Sequence, residues 1–211
     1  MKTDDLIRLL SEDRRPPVII SRRLPLALAA GGAVSFGLLL LTVGLRPDLG
    51  TAISGWRVLL KLGATVLLAL LGALAALDAA RPGRGVRSQL LFLLAPLCLV
   101  AAGGLYELAS APSGSLPARW LGQNAAFCLF FIPVLSLAPL SALLATLRHG
   151  APDSPHVAGA VAGLAAGCLA AALYALHCPD DSPLFVLTWY SLAIAVPTLV
   201  GSLAGRRVLA W

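Results

Sequence analysis

The chain has 211 residues, of which 58% are apolar and 12% charged, with a formal net charge of +6. Soluble domains carry about 25% charged residues, so this balance excludes an ordinary water-soluble enzyme or binding module. The surplus of Lys and Arg requires no direct nucleic-acid partner, because no segment gathers enough basic and aromatic residues to track a phosphate backbone; basic loops facing an anionic leaflet account for it.

Residues 1–23 read as a cytoplasmic amphipathic segment. Thr3 suits an N-cap, Asp4 and Asp5 suit the positive end of a helix dipole, and Arg14 and Arg15 suit its negative end. Leu6, Ile7 and Leu10 share one face, while Arg8 and Glu12 look away from it. Pro16 and Pro17 end the helix because neither ring can continue its hydrogen-bond ladder. Two readings stay open: a helix lying on the headgroups of the lipid bilayer, or a recognition helix that offers its apolar face to a groove on a soluble partner. Two aspartates at its start disfavour anionic lipid and favour the partner.

Residues 24–207 read as one membrane domain, all-α, an integral bundle of six transmembrane helices. Apolar runs at about 24–45, 58–77, 89–106, 125–147, 157–177 and 184–205 each have the roughly 18–25 residues that cross a ~30 Å hydrocarbon core. Lys2, Arg8, Arg14, Arg15, Arg22, Arg23, Arg81, Arg84, Arg87, Arg148, Arg206 and Arg207 fall on one side of that arrangement. Only Arg46, Arg57 and Arg119 fall in the opposite loops, so both termini are expected to be cytoplasmic. Trp56, Trp120 and Trp189 sit where an interfacial belt is expected.

Within the second run, Lys61 lies one turn past Arg57. It reads as a snorkelling anchor at the outer interface, with a substrate or partner contact as the alternative. Asp78 and Glu107 fall at span ends. So few ionisable groups argue against a coupled transporter, which needs a charge relay. Pro96, Pro133, Pro139 and Pro197 lie inside spans and are expected to kink them. In the fifth run Gly159, Gly163 and Gly167 form one small-residue ridge. It favours packing inside the chain, with a homodimer through the same ridge as the alternative.

Four cysteines remain. Cys98 and Cys168 fall mid-span and read as small buried hydrophobes. Cys128, one turn into the fourth run, and Cys178, just beyond the fifth, both fall near the outer face. There they could form a structural disulfide, a reversible thiol pair or a soft-metal trap. His177, Cys178, Asp180 and Asp181 offer metal ligands within five residues, although their spacing matches no dedicated zinc motif. No CxxC, phosphate loop or nucleophile with a supporting base is present, so the reading is of a non-enzyme with no cofactor.

The stretch Thr3-Asp4-Asp5-Leu6-Ile7-Arg8-Leu9-Leu10, then six spans, one cysteine early in the fourth and one after the fifth, resembles the NrsF-like family over nearly the whole chain. Those proteins are membrane anti-sigma factors, negative regulators of extracytoplasmic-function sigma factors in the bacterial inner membrane. The resemblance implies sigma-factor binding by Asp4, Asp5, Leu6, Ile7 and Leu10. It also implies sensing of oxidant or heavy metal by Cys128 and Cys178, in a stress response that releases the sigma factor. The sensing step would move the fourth span against the fifth, helped by the proline kinks and the glycine ridge. The rival reading is a small membrane transporter or lipid-binding subunit with a structural disulfide.

Overall fold

A computed structural model describes residues 20–81, 83, 86–112 and 114–210. The amphipathic helix expected around Asp4, Asp5, Leu6, Ile7 and Leu10 lies outside the described residues. Six helices are long and apolar enough to cross a membrane, and no strand occurs among the described residues. We number them by their main segments: α1 (Ile20–Thr42), α2 (Trp56–Ala79), α3 (Leu94–Ser110), α4 (Ala125–Leu147), α5 (Pro155–Tyr174) and α6 (Ser191–Val208). Short helices precede four of them, Leu49–Ala52 before α2, Arg87–Phe92 before α3, Leu116–Leu121 before α4 and Pro183–Phe185 before α6, and a π-helical turn, Val186–Tyr190, joins the last pair.

Local chemistry explains the departures from the apolar runs. The chain breaks at Leu93 because Pro96 has no N–H to give the Phe92 carbonyl, so the proline starts α3 instead of kinking it. Helix α5 ends at Tyr174, earlier than the run to 177, and there the N–H groups of His177 and Cys178 both turn back to the Tyr174 carbonyl. At the other end of the chain α1 is already helical at Ile20, before the apolar run starts, and Arg22 and Arg23 are exposed on it.

Helix α5 is the centre of the bundle, with α6, α2 and α4 packed around it. Its Gly and Ala residues permit this, since a slim helix lets neighbouring backbones approach on every side. A Cβ on Gly159 would strike the Gly201 carbonyl and the Gly205 backbone, and one on Gly163 would strike the Pro197 carbonyl. The glycine ridge is therefore used inside one chain, against α6, and the alternative of a homodimer seam there gives way to intramolecular packing. On another side, Gly72 of α2 lies against the Ala165 backbone.

Helix α1 packs mainly on α4. A Cβ on Gly31 would overlap the Pro139 backbone, and the buried Ser35 hydroxyl donates to the Leu135 carbonyl at 2.5 Å. Pro139 has no N–H to offer that carbonyl, so Ser35 replaces the donor that the proline removes. Helix α3 is the most peripheral, held by α2 and by the Pro183–Phe185 segment. Its Cys98 is exposed, not buried as expected, while Cys168 is enclosed. Large apolar side chains such as Leu26, Leu41, Leu105, Phe130 and Leu199 face outward, as a helical bundle surrounded by hydrocarbon requires.

Candidate functional site

Cys128 is the fourth residue of α4, and Cys178 follows α5 by four residues in the 175–182 loop. The fold brings the two together as free thiols, Sγ to Sγ 4.0 Å, both 0% exposed. Around them stand Tyr174 and Tyr190, packed on Phe131 and Phe185. Both phenol hydroxyls are buried without a hydrogen-bond partner of good geometry among the described residues. Each faces a sulfur, Tyr174 that of Cys128 and Tyr190 that of Cys178. A thiolate formed here meets phenol donors that have no other partner.

The loop that carries Cys178 is held by charge. Lys61, 1% exposed, directs its ammonium group to the Cys178 carbonyl (2.7 Å), the Asp180 carbonyl (3.3 Å) and Asp181 Oδ1 (2.5 Å). Arg46 binds Asp48 through two parallel 2.8 Å bonds, and its Nη1 reaches Asp181 Oδ2 at 2.8 Å and the Cys178 carbonyl at 3.5 Å. Asp181 thus shares its two oxygens between α2 and the α1–α2 loop. Asp180 turns the other way, accepting from the N–H groups of Gln123 (3.0 Å) and Asn124 (2.9 Å), where its charge caps the start of α4. His177 contacts the Gly44 carbonyl at 3.1 Å.

A second buried carboxylate supports the same end. Glu107 is 0% exposed; Arg57 (2.9 Å) and Arg119 (3.1 Å) both reach its Oε1, and Ser182 donates to its Oε2. It ties α2, α3 and the Leu116–Leu121 helix to the end of the cysteine loop. That helix ends at Gly122, where the backbone turns with φ 58° and a Cβ would strike Phe185 and Asp180.

The electrostatics follow from these contacts. Its hydrogen bonds to Asp48 and Asp181 hold Arg46 above its ordinary value, although burial opposes them. The same Arg46 contact holds Asp48 below the usual carboxylate range. Cys178 is held below the ordinary thiol value, chiefly by the hydrogen bond from Cys128 and also by the Lys61 charge, against the opposing cost of burial. It is therefore the more readily ionised position from which a thiolate can attack.

Two expectations change. Lys61 does not snorkel to the interface: it points inward, because an acidic residue of the cysteine loop waits there. His177, Cys178, Asp180 and Asp181 do not converge, since the histidine and both aspartates are each engaged with a different element. Among the described residues no group of three or more His, Cys, Asp or Glu is placed to hold a metal ion. The roles of Arg46, Asp48, Glu107, Tyr174 and Tyr190 went unread in the sequence. The available signal was charge balance, since Asp180 and Asp181 beside a cysteine need partners, and Lys61 and Arg46 were among the four cations at the same end, with Arg57 and Arg119.

A profile of the NrsF family, described as negative regulator of sigma F, matches residues 10–211. The chain is 37% identical to the anti-sigma-F factor NrsF of Caulobacter vibrioides (strain NA1000 / CB15N) over the full length of both. It is 32% identical to the probable anti-sigma-F factor NrsF of Azospira oryzae (strain ATCC BAA-33 / DSM 13638 / PS), again over the whole of both chains. No solved structure matches.

Proposed function

The chain belongs to the NrsF family of anti-sigma factors, and from that premise we propose that it holds an extracytoplasmic-function sigma factor at a bacterial inner membrane and releases it when Cys128 and Cys178 react. An anti-sigma factor is a regulator and not an enzyme, and its partner is a sigma factor, so the transporter reading falls away. The N-terminal segment supplies the grip, with Leu6, Ile7 and Leu10 entering an apolar groove and Asp4 and Asp5 meeting basic residues at its rim. Both termini lie in the cytoplasm, where the sigma factor is, because the basic residues concentrate on that side.

The observation that carries the sensing step is the 4.0 Å contact between two buried thiols at the opposite end of the bundle. A peroxide oxidant takes two electrons from the pair; one S–S bond forms, the O–O bond breaks, and the two thiol protons leave in the water produced. The sulfurs must then close to about 2.05 Å, a shift of roughly 2 Å for a loop clamped by Lys61, Arg46 and Asp180. A soft metal ion bridged by two thiolates at ~2.3 Å each would instead hold them up to about 4.6 Å apart. Oxidation is the larger displacement, and it is the trigger we favour.

The test is co-isolation from membranes of full-length protein, a version lacking residues 2–15, and the single variants Cys128→Ser and Cys178→Ser. The full-length protein captures a sigma factor that peroxide treatment releases, the truncated form captures none, and both serine variants capture it and keep it under peroxide. Capture by the truncated form would move the binding site to the loops on the same side. Release from both serine variants would remove the thiols from the sensing role.

A further inference from the structure

We infer that the seam between α1 and α4, made by Ser35 on the Leu135 carbonyl and Gly31 on Pro139, is the element that carries the state of the thiol pair to the N-terminal segment. The inference rests on the proposed sensing role of Cys128 and Cys178 and names the route by which it acts.

Two facts of position make α1 the carrier. Cys128 belongs to α4, and α1 is the spanning helix that follows the N-terminal segment in sequence. Sliding α4 along α5 on a glycine ridge does not supply the route, because Gly159, Gly163 and Gly167 face α6. Where α4 meets α1, by contrast, both helices have given up the usual cushioning. Gly31 lets the Pro139 backbone approach so closely that an added Cβ would overlap its Cα. No side chain there can absorb a displacement by changing rotamer, so movement of one backbone is movement of the other.

The hydrogen bond at this seam is directional. The Ser35 hydroxyl has one proton and two carbonyls in reach, its own Gly31 at 3.0 Å and Leu135 at 2.5 Å. The Gly31 carbonyl faces the Ser35 backbone N–H within the helix, while Leu135 has lost its donor to Pro139, so the proton belongs to Leu135. Ser35 is 1% exposed, and no water in a hydrocarbon surround replaces it. The bond sits seven residues along α4 from Cys128, between Pro133 and Pro139, where the backbone ladder of α4 is weakest and a pull on its cysteine end is taken up as bending.

The same loop also holds α1 from above. Arg46 lies just past the end of α1, and its side chain and its backbone N–H both contact the cysteine loop, the latter at the Leu176 carbonyl (3.1 Å). Arg46 thus holds the end of α1 to the loop, while movement of α4 reaches the middle of α1 through Ser35.

The experiment uses the full-length protein in lipid nanodiscs with bound sigma factor. Ser35→Ala and Ser35→Thr are compared with wild type for peroxide oxidation of Cys128 and Cys178, for sigma-factor release, and for hydrogen exchange across residues 20–42. Ser35→Ala oxidises at the wild-type rate and retains the sigma factor, with release slowed about tenfold; Ser35→Thr, which keeps the hydroxyl, releases normally. Oxidation changes exchange around residues 31–39 of wild-type α1 and leaves that stretch unchanged in Ser35→Ala. Wild-type release from oxidised Ser35→Ala, or release from wild type with no change in α1 exchange, overturns the inference. Failure of the sensing role itself looks different, since the Cys128→Ser and Cys178→Ser proteins would then release under peroxide while Ser35→Ala matched them.

Discussion

Lys61 uses its ammonium group on a single loop, with contacts to Cys178, Asp180 and Asp181. A buried pair of this kind contributes little net attraction beyond what desolvation costs, but removing one partner leaves an uncompensated charge. The two partners are not equivalent. Asp181→Ala strands the enclosed Lys61, whereas Lys61→Met leaves Asp181 its 2.8 Å bond to Arg46. Thermal unfolding in detergent is expected to place Asp181→Ala about 3–5 kcal/mol below wild type and Lys61→Met nearer to wild type; equal losses would mean that Arg46 does not hold the carboxylate. The sequence placed Lys61 correctly along its span and misread its direction. A membrane helix is apolar on every face, so the pattern of polar residues that orients a helix in water is missing. Cys128 and Cys178 were legible as a pair because both fall at the same end of adjacent runs. Tyr174 and Tyr190 were not, since a tyrosine inside an apolar run looks the same whether it faces lipid or a sulfur.

At the scale of elements, helix number and length were legible because hydrocarbon thickness imposes them directly on the run of apolar residues. α4 occupies 125–147, the run as read. Partner choice was less so. A GxxxGxxxG ridge announces close packing but not against what, and it is Gly201, Gly205 and Pro197 that receive it, a spacing spread along α6. The seam makes a sharp prediction. A Cβ at Gly163 meets backbone atoms of Pro197 and Thr198, which have no rotamer by which to yield. Gly163→Ala is thus expected to force α5 and α6 apart at a cost of about 1–3 kcal/mol, seen as faster proteolysis of the α5–α6 pair in membranes. Gly37→Ala, with open space at its Cβ, is the control and is expected to change nothing. If the two behave alike, the seam is looser than its glycines imply.

For the whole molecule the question is whether the sigma factor leaves because the bundle comes apart or because an intact bundle changes shape. The two differ in the sign of a stability change. A disulfide between Cys128 and Cys178 closes a loop with a sequence separation of 50 residues, and the chain-entropy model assigns such a closure about 4 kcal/mol, less whatever strain the ~2 Å approach imposes. The loop that must move is tied to α2 and the α1–α2 loop by the ion pairs of Asp181 and to the start of α4 by hydrogen bonds to Asp180, so oxidation draws these elements together instead of freeing them. The oxidised protein is therefore expected to be more resistant to unfolding than the reduced one while binding its sigma factor more weakly. Parallel melting curves of peroxide-treated and dithiothreitol-treated protein in nanodiscs, with sigma-factor capture measured on the same samples, decide the matter. A higher midpoint with weaker capture is the signature of a rigid bundle that moves its N-terminal segment. A lower midpoint with weaker capture would mean that release is local unfolding, and transmission through α1 would then be unnecessary.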